Sequence, residues 1–162
     1  MTLACIGLGA NLGDAAQTLR DAFQALAALP QTTLRACSQL YRTPPWGNED
    51  QPAFVNAAAV LDTALAAPAL LEALLEIERQ FGRVRDPAVH WGPRALDLDV
   101  LLYGEEIIDL PQLQVPHPHL HARAFALLPL AEIAPDATIP GHGRVRDAVM
   151  RVEACGIAPI GG

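Results

Sequence analysis

The chain has 162 residues, 51% of them hydrophobic, which is enough for one compact core; disorder is not expected, and the length points to a single domain over residues 1–162. Eleven Lys+Arg against eighteen Asp+Glu give a formal net charge of −7, which excludes a broad basic surface for nucleic acid or anionic membrane. All eleven cations are Arg, so a Walker A phosphate loop, which needs Lys, is excluded as well, and any phosphate site must be local.

In chain order, residues 3–8 are apolar and bounded by Gly7, Gly9 and Gly13, the pattern of a buried strand running into a glycine turn. Asp14 is the predicted N-cap of a helix over residues 15–29, in which Leu19, Phe23, Leu26 and Ala27 recur at helical spacing before Pro30 closes it. Residues 33–41 and 54–63 read as strands joined by the polar stretch 42–52. Pro68 suits the first turn of a second helix, with an apolar stripe of Leu70, Leu71, Leu74, Leu75 and Ile77 that runs to Gly82. Residues 96–103 alternate, with Leu96, Leu98, Val100 and Leu102 on one face and Asp97 and Asp99 on the other. Further helices are predicted over residues 122–134 and 144–153. The order strand, helix, strand, strand, helix, strand predicts an α+β fold, a ferredoxin-like split βαβ sandwich with helices packed on one face of an antiparallel sheet and the other face open for a site.

Cys5, Cys37 and Cys155 are odd in number, far apart and form no CxxC pair, which argues against a disulfide framework or zinc knuckle. The first residues carry no basic stretch leading into an apolar run, and no segment reaches the roughly 18 apolar residues of a membrane span. A soluble cytoplasmic protein is expected.

Asp97 and Asp99, two apart on a strand, project on the same side about 6 to 7 Å apart, and a shared dication relieves their repulsion. A solvated strand face is the alternative. Upstream, Arg83, Arg85 and Arg94 stand in a glycine-punctuated loop and offer planar forks for phosphate oxygens; ordinary pairing with acids such as Asp86 is the other possibility. His117, His119 and His121 alternate, yet Pro116 and Pro118 interrupt them and no Cys lies near, so zinc is the weaker reading and His117 donating to a phosphate the stronger. Phe54 and Phe125 fall outside the helix stripes, and Asn56 shares the strand face of Phe54; a flat heterocycle stacked on the rings with Asn56 on its edge competes with a plain core role. The turn from Gly7 to Gly13 completes no GxGxxG, which removes a dinucleotide fold. Residues 43–52, with stiff Pro around Gly47, supply either a lid or an irregular connection.

Taken together, Leu8-Gly9-Ala10-Asn11-Leu12-Gly13, Tyr41-Arg42-Thr43-Pro44-Pro45, Asp50-Gln51-Pro52 with Phe54 and Asn56, Gly82-Arg83, and Trp91-Gly92-Pro93-Arg94-Ala95-Leu96-Asp97-Leu98-Asp99 closely resemble the pterin pyrophosphokinase family of folate biosynthesis. Val115-Pro116-His117-Pro118-His119 extends the resemblance, which covers about residues 3–140. It implies transfer of diphosphate from ATP to a hydroxymethyl-dihydropterin with release of AMP. Asp97 and Asp99 would hold two Mg²⁺ ions, and Arg83 and Arg94 would steady the phosphates. Arg85 and Trp91 would belong to a loop closing over ATP, His117 and Arg123 would contact phosphate, and Glu78 would lie near the nucleotide. Phe54 and Phe125 would sandwich the pterin, Asn56 would bond its edge, and Thr43 and Pro45 would add contacts. Partners are then small molecules, without nucleic acid or membrane, and a monomer is expected. Ala10 stands where the family usually has Ser, Trp46 where it has a smaller aliphatic residue, and His119 where Arg or Tyr is frequent, so His119 is given no nucleotide role. The competing class is a ferredoxin-like binding module without chemistry; paired acids discriminate against it, because without a cation they repel a phosphate ligand. Single-stranded RNA binding is disfavoured by the acidic charge and few aromatics.

Overall fold

The structure is a computed structural model and describes residues 1–44, 53–82, 95–154 and 156–160. β1 (Thr2–Ala10) extends past the predicted strand end, carrying Gly7 and Gly9 within the strand. α1 (Ala15–Ala27) starts where Asp14 accepts the Gln17 N–H at 3.2 Å, the capping its position predicts. The predicted strand 33–41 is two strands, β2 (Thr32–Cys37) and β3 (Tyr41–Thr43), both antiparallel to β4 (Phe54–Thr63). Between the pairs Cys37–Ala59 and Tyr41–Asn56, three residues (38–40) on one side face two (57–58) on the other, so the ladder must break. Ser38 spans the gap: its N–H donates to Ala58 O and its hydroxyl accepts the Ala58 N–H, both at 2.9 Å.

α2 (Ala67–Gln80) has Pro68 in its first turn, and Gly82 follows its end at φ 81°, a left-handed position that favours glycine. β5 (Asp97–Tyr103) pairs antiparallel with β1, and here the predicted alternation is corrected. Ile6 pairs with Val100 but Cys5 with Leu102, so Leu101 is an extra residue in the ladder. The bulge turns Leu102 to the face opposite Leu98 and Val100. The hairpin of β6 (Ile108–Leu110) and β7 (Leu113–Val115) follows, with strands too short to show a period. The helix predicted over 122–134 is a 3-10 turn (Leu120–Ala122) and then α3 (Ala124–Ile133), with Arg123 extended between them. A small hairpin of β8 (Thr138–Ile139) and β9 (Gly143–Arg144) leads to α4 (Val145–Val149), which is shorter than the predicted 144–153. β10 (Ala158–Pro159) pairs with β3.

The main sheet runs β10–β3–β4–β1–β5, with β2 also on β4, and every pair is antiparallel. One face is sealed by α1 and α2: Ile6, Leu8, Leu61 and Leu98 of the strands meet Leu19, Leu26, Leu70 and Leu74 of the helices. The other face is not left bare by helices, as the sequence pattern implies. α3 and α4 cover one part of it, where Cys5, Val60 and Leu102 pack on Leu127, Leu130 and Val145. The uncovered remainder, near Gly7, Gly9 and the start of β5, holds the groove described next. Among the described residues no helix is long and apolar enough to cross a membrane.

Candidate active site

Strand register brings the site together. Asp97 lies opposite Gly9, and Gly9 lies opposite Asn56; two residues along, Asp99 lies opposite Gly7. Directly paired residues share a face, so Asp97, Asp99 and Asn56 all stand on the open side, separated only by glycines. The 3-10 turn and the start of α3 close one flank, and the resulting groove is lined by Asn56, Asp97, Asp99, His117, Arg123 and Phe125 over a floor of Gly7 and Gly9. The groove is shallow and opens to solvent on the uncovered side of the sheet.

The acid pair is half-buried. Between the two acids, the Leu98 N–H donates to Glu78 Oε2 at 2.7 Å. Glu78 belongs to α2, is buried at 3% exposure and is not part of the groove wall; it reaches the acid-bearing strand through the backbone. His117 follows the cis Val115–Pro116 peptide, and its N–H donates to Leu101 O at 3.0 Å, which ties it to the bulge of β5. Its Nε2 stands 3.9 Å from Asp99 Oδ1, and its Nδ1 is 2.9 Å from Pro118 O. A carbonyl only accepts, so Nδ1 carries the hydrogen and a neutral ring presents the lone pair of Nε2 to the groove. Burial lowers the His117 pKa below the ordinary value; Arg123 and His119 push the same way, while the Pro118 carbonyl and Asp97 oppose it. Donation from Nε2 to a phosphate, the role expected above, therefore requires the ring first to gain a proton.

Arg123 sits at the joint between the 3-10 turn and α3, its guanidinium carbon 5.7 Å from the centre of the Phe125 ring, within cation–π range. Asn56 is buried, and its Nδ2 donates to Thr43 Oγ1 at 2.8 Å. Thr43 pairs with Phe54 on β4; the half-buried Phe54 shares the face of Asn56 but lies beyond the groove wall.

The other histidines go elsewhere. His119 occupies a left-handed turn at φ 68°, and His121 stacks on His142 with ring centres 3.7 Å apart. Among the described residues, no set of three or more His, Cys, Asp or Glu converges as a metal cluster. Pro45, Trp46, Arg83, Arg85, Trp91 and Arg94 lie outside the described residues. Gly7 and Gly9, absent from the predicted site, form its floor; their signal in the sequence is two glycines at alternate positions inside an apolar strand.

Fold and groove together define a class: an α+β protein whose partly open sheet face carries an acid pair, an imidazole, a guanidinium, an amide and an aromatic ring in one small-molecule site. Residues 5–135 match the family described as 7,8-dihydro-6-hydroxymethylpterin-pyrophosphokinase (HPPK), and the chain belongs to that family. It is 53% identical over 135 residues to a Pseudomonas aeruginosa protein named 2-amino-4-hydroxy-6-hydroxymethyldihydropteridine pyrophosphokinase, covering 83% of this chain and 82% of that one. A Methylorubrum extorquens protein of the same name is 48% identical over 160 residues, covering 99% of each chain. Among solved structures, the chain resembles Plasmodium falciparum HPPK-DHPS in complex with pteroate, with a TM-score of 0.72 and 14% identity over 93% of this chain. That likeness establishes the mixed α/β fold, and the chain spans 42% of the length of that larger protein.

Proposed function

We propose that the chain is a transferase that moves the diphosphate group of ATP to the alcohol of 6-hydroxymethyl-7,8-dihydropterin, releasing AMP, in folate biosynthesis. One observation carries the reading: a single groove sets the β5 acid pair, His117 and Arg123 beside the buried amide of Asn56 and the ring of Phe125. A polyphosphate donor and a flat heterocyclic acceptor call for those two chemistries side by side.

The donor set fits a hard cation. Asp97 and Asp99 offer carboxylate oxygens from one strand face, with the His117 imidazole beside Asp99, and hard carboxylate oxygens suit Mg²⁺, which completes its shell with water and substrate phosphates. In this reading they hold two Mg²⁺ ions. Asp97 and Asp99 would hold the cation against the phosphates, where it would supply charge neutralisation and Lewis acidity.

The chain's own groups do the positioning. Arg123, half-buried against Phe125, offers its fork to phosphate oxygens with less competition from water. Arg83 and Arg94 steady the phosphates and the developing charge, and Arg85 and Trp91 serve ATP binding. His117 and Glu78 serve the nucleotide side, Glu78 from beneath through the Leu98 N–H. Phe54 and Phe125 hold the pterin ring, Asn56 bonds its edge, and Thr43 and Pro45 add contacts.

At the level of fold, β1–α1–β2 and β4–α2–β5 each link strands that are parallel to one another and separated by a third, which supports a ferredoxin-like split βαβ sandwich. Two apolar clusters built on one sheet support a single domain over residues 1–162. The reading includes a monomer, and the free thiols Cys5 and Cys37 fit a cytoplasmic setting.

Incubation with ATP, Mg²⁺ and the hydroxymethyl pterin, followed by nucleotide separation, tests the function. AMP formed in step with a pterin diphosphate is expected; ADP in its place overturns the assigned reaction.

A further inference from the structure

We propose that Gly9 is a specificity-determining residue for the acceptor: its missing side chain lets the Asn56 amide lie against β1, so that a flat ring can span the sheet from Asn56 to the acid pair. The inference rests on the pterin reading above and adds a residue to it.

Glycine inside a strand needs a reason, since it packs nothing and loses more backbone freedom on folding than any other residue. At Gly13 and Gly82 the reason is a positive φ of 57° and 81°. Gly9 has no positive φ and stands in regular antiparallel pairing on both sides, so any residue could adopt its backbone. What excludes a side chain is a neighbour. A methyl group on Gly9 would stand 2.8 Å from Asn56 Oδ1, well inside the roughly 3.3 Å at which carbon and oxygen meet even in favourable C–H···O contacts. At Gly7, one step along the same face, a methyl group would meet the Leu101 side chain at 3.2 Å and no polar atom among its nearest neighbours. The conflict with the amide is particular to position 9.

Asn56 could swing away only by breaking its bond to Thr43, where Nδ2 donates to Oγ1 at 2.8 Å and fixes which end of the amide points where. Gly9, Asn56 and Thr43 therefore form one device in which the bare Cα leaves room for the amide and the hydroxyl sets its orientation. The same bare Cα separates the amide from Asp97, because Gly9 pairs with both. The two flanking residues stand two strand spacings apart, about 10 Å, a reach that suits a two-ring heterocycle carrying a one-carbon alcohol arm. Any side chain at position 9 would displace the amide and lift the ring, while leaving the carboxylates of β5 where they are.

Steady-state kinetics on the full chain test this, with Gly9→Ala, Thr43→Val, Asn56→Ala and the double variant Gly9→Ala/Asn56→Ala. Gly9→Ala is expected to raise the KM for the pterin about tenfold, the scale of one misplaced hydrogen-bonding group, with affinity for a non-hydrolysable MgATP analogue unchanged within about twofold. Thr43→Val, which frees the amide without touching β1, should produce the same selective rise. In the Asn56→Ala background, Gly9→Ala should cost less than about twofold further, since the group it displaces is already gone. An unchanged pterin KM, an equal loss for nucleotide and pterin, or full additivity with Asn56→Ala overturns the proposal. Should Gly9→Ala fail to fold, the double variant Gly9→Ala/Asn56→Ala, in which the clashing amide is gone, is expected to fold and to match Asn56→Ala in pterin KM, and a double variant that also fails to fold or has a clearly higher pterin KM overturns the proposal. A wild-type protein that makes no AMP defeats the functional reading itself, whereas a wild type that makes AMP beside a Gly9→Ala variant of unaltered pterin KM defeats this inference alone.

Discussion

The two faces of the sheet are made by alternate residues of the same strands and do opposite work. On the α1/α2 face, Ile6, Leu8, Val55, Leu98 and Val100 are buried in a continuous apolar cluster. On the other face, the positions between them are Gly7, Gly9, Asn56, Asp97 and Asp99, and these make the groove. The same backbone ladder holds both sets, so the packed face acts as a rigid support for groups that by themselves contribute little to stability. Glu78 crosses this division: a carboxylate buried on the packed side reaches the N–H between the two acids and fixes the strand that carries them.

Substitutions on the two faces should separate activity from stability. The largest effect is expected at the acid pair. Asp97→Ala and Asp99→Ala should each lower kcat/KM for AMP formation by about a thousandfold, the scale of losing a preorganised charge-stabilising group, while the half-buried positions leave the denaturation midpoint close to that of the wild type. A variant that loses activity only in proportion to folded protein would break the comparison.

Leu70→Ala, on the packed face, should do the reverse. Leu70 is fully buried, and deleting such a side chain costs about 3 kcal/mol through lost transfer energy and a residual cavity. Urea unfolding should report that loss, and the folded fraction should retain wild-type KM values.

The smallest effect concerns pH and His117. Because burial holds its pKa below the ordinary 6.5, the folded chain takes up this proton less readily than the unfolded one. The stability this neutral ring contributes is complete above pH 6.5 and is lost as pH falls from there through the lower folded-state value. Urea midpoints taken from about pH 7.5 down to about pH 5.5 should therefore decline more steeply for the wild type than for His117→Gln. His121, whose pKa is also lowered, stays in both proteins and cancels. Equal slopes would remove His117 as a source of acid sensitivity.

Much of this organisation was legible beforehand, and the failures have identifiable causes. Asp14 announced a helix start because its capping bond is local, three residues long. Asp97 and Asp99 announced a shared face because alternation on a strand is also local. Leu102 was misplaced because the bulge at Leu101 arises from pairing with β1, a partner about ninety-five residues away in the chain, and pattern along one strand holds no record of it. The split of β2 from β3 likewise depends on how many residues β4 offers opposite Ser38.

Sequence by itself therefore determined α1 and α2, the shared face of Asp97 and Asp99, the exclusion of a lysine phosphate loop and the chemical types in the site, since each depends on composition or on neighbours a few residues apart. Tertiary structure alone decided that Gly9 separates Asn56 from Asp97, that Glu78 works through the backbone of β5, and that His117 presents a lone pair to the groove. Those facts are set by strand register and by burial, and both come into being only when distant segments pack on one another.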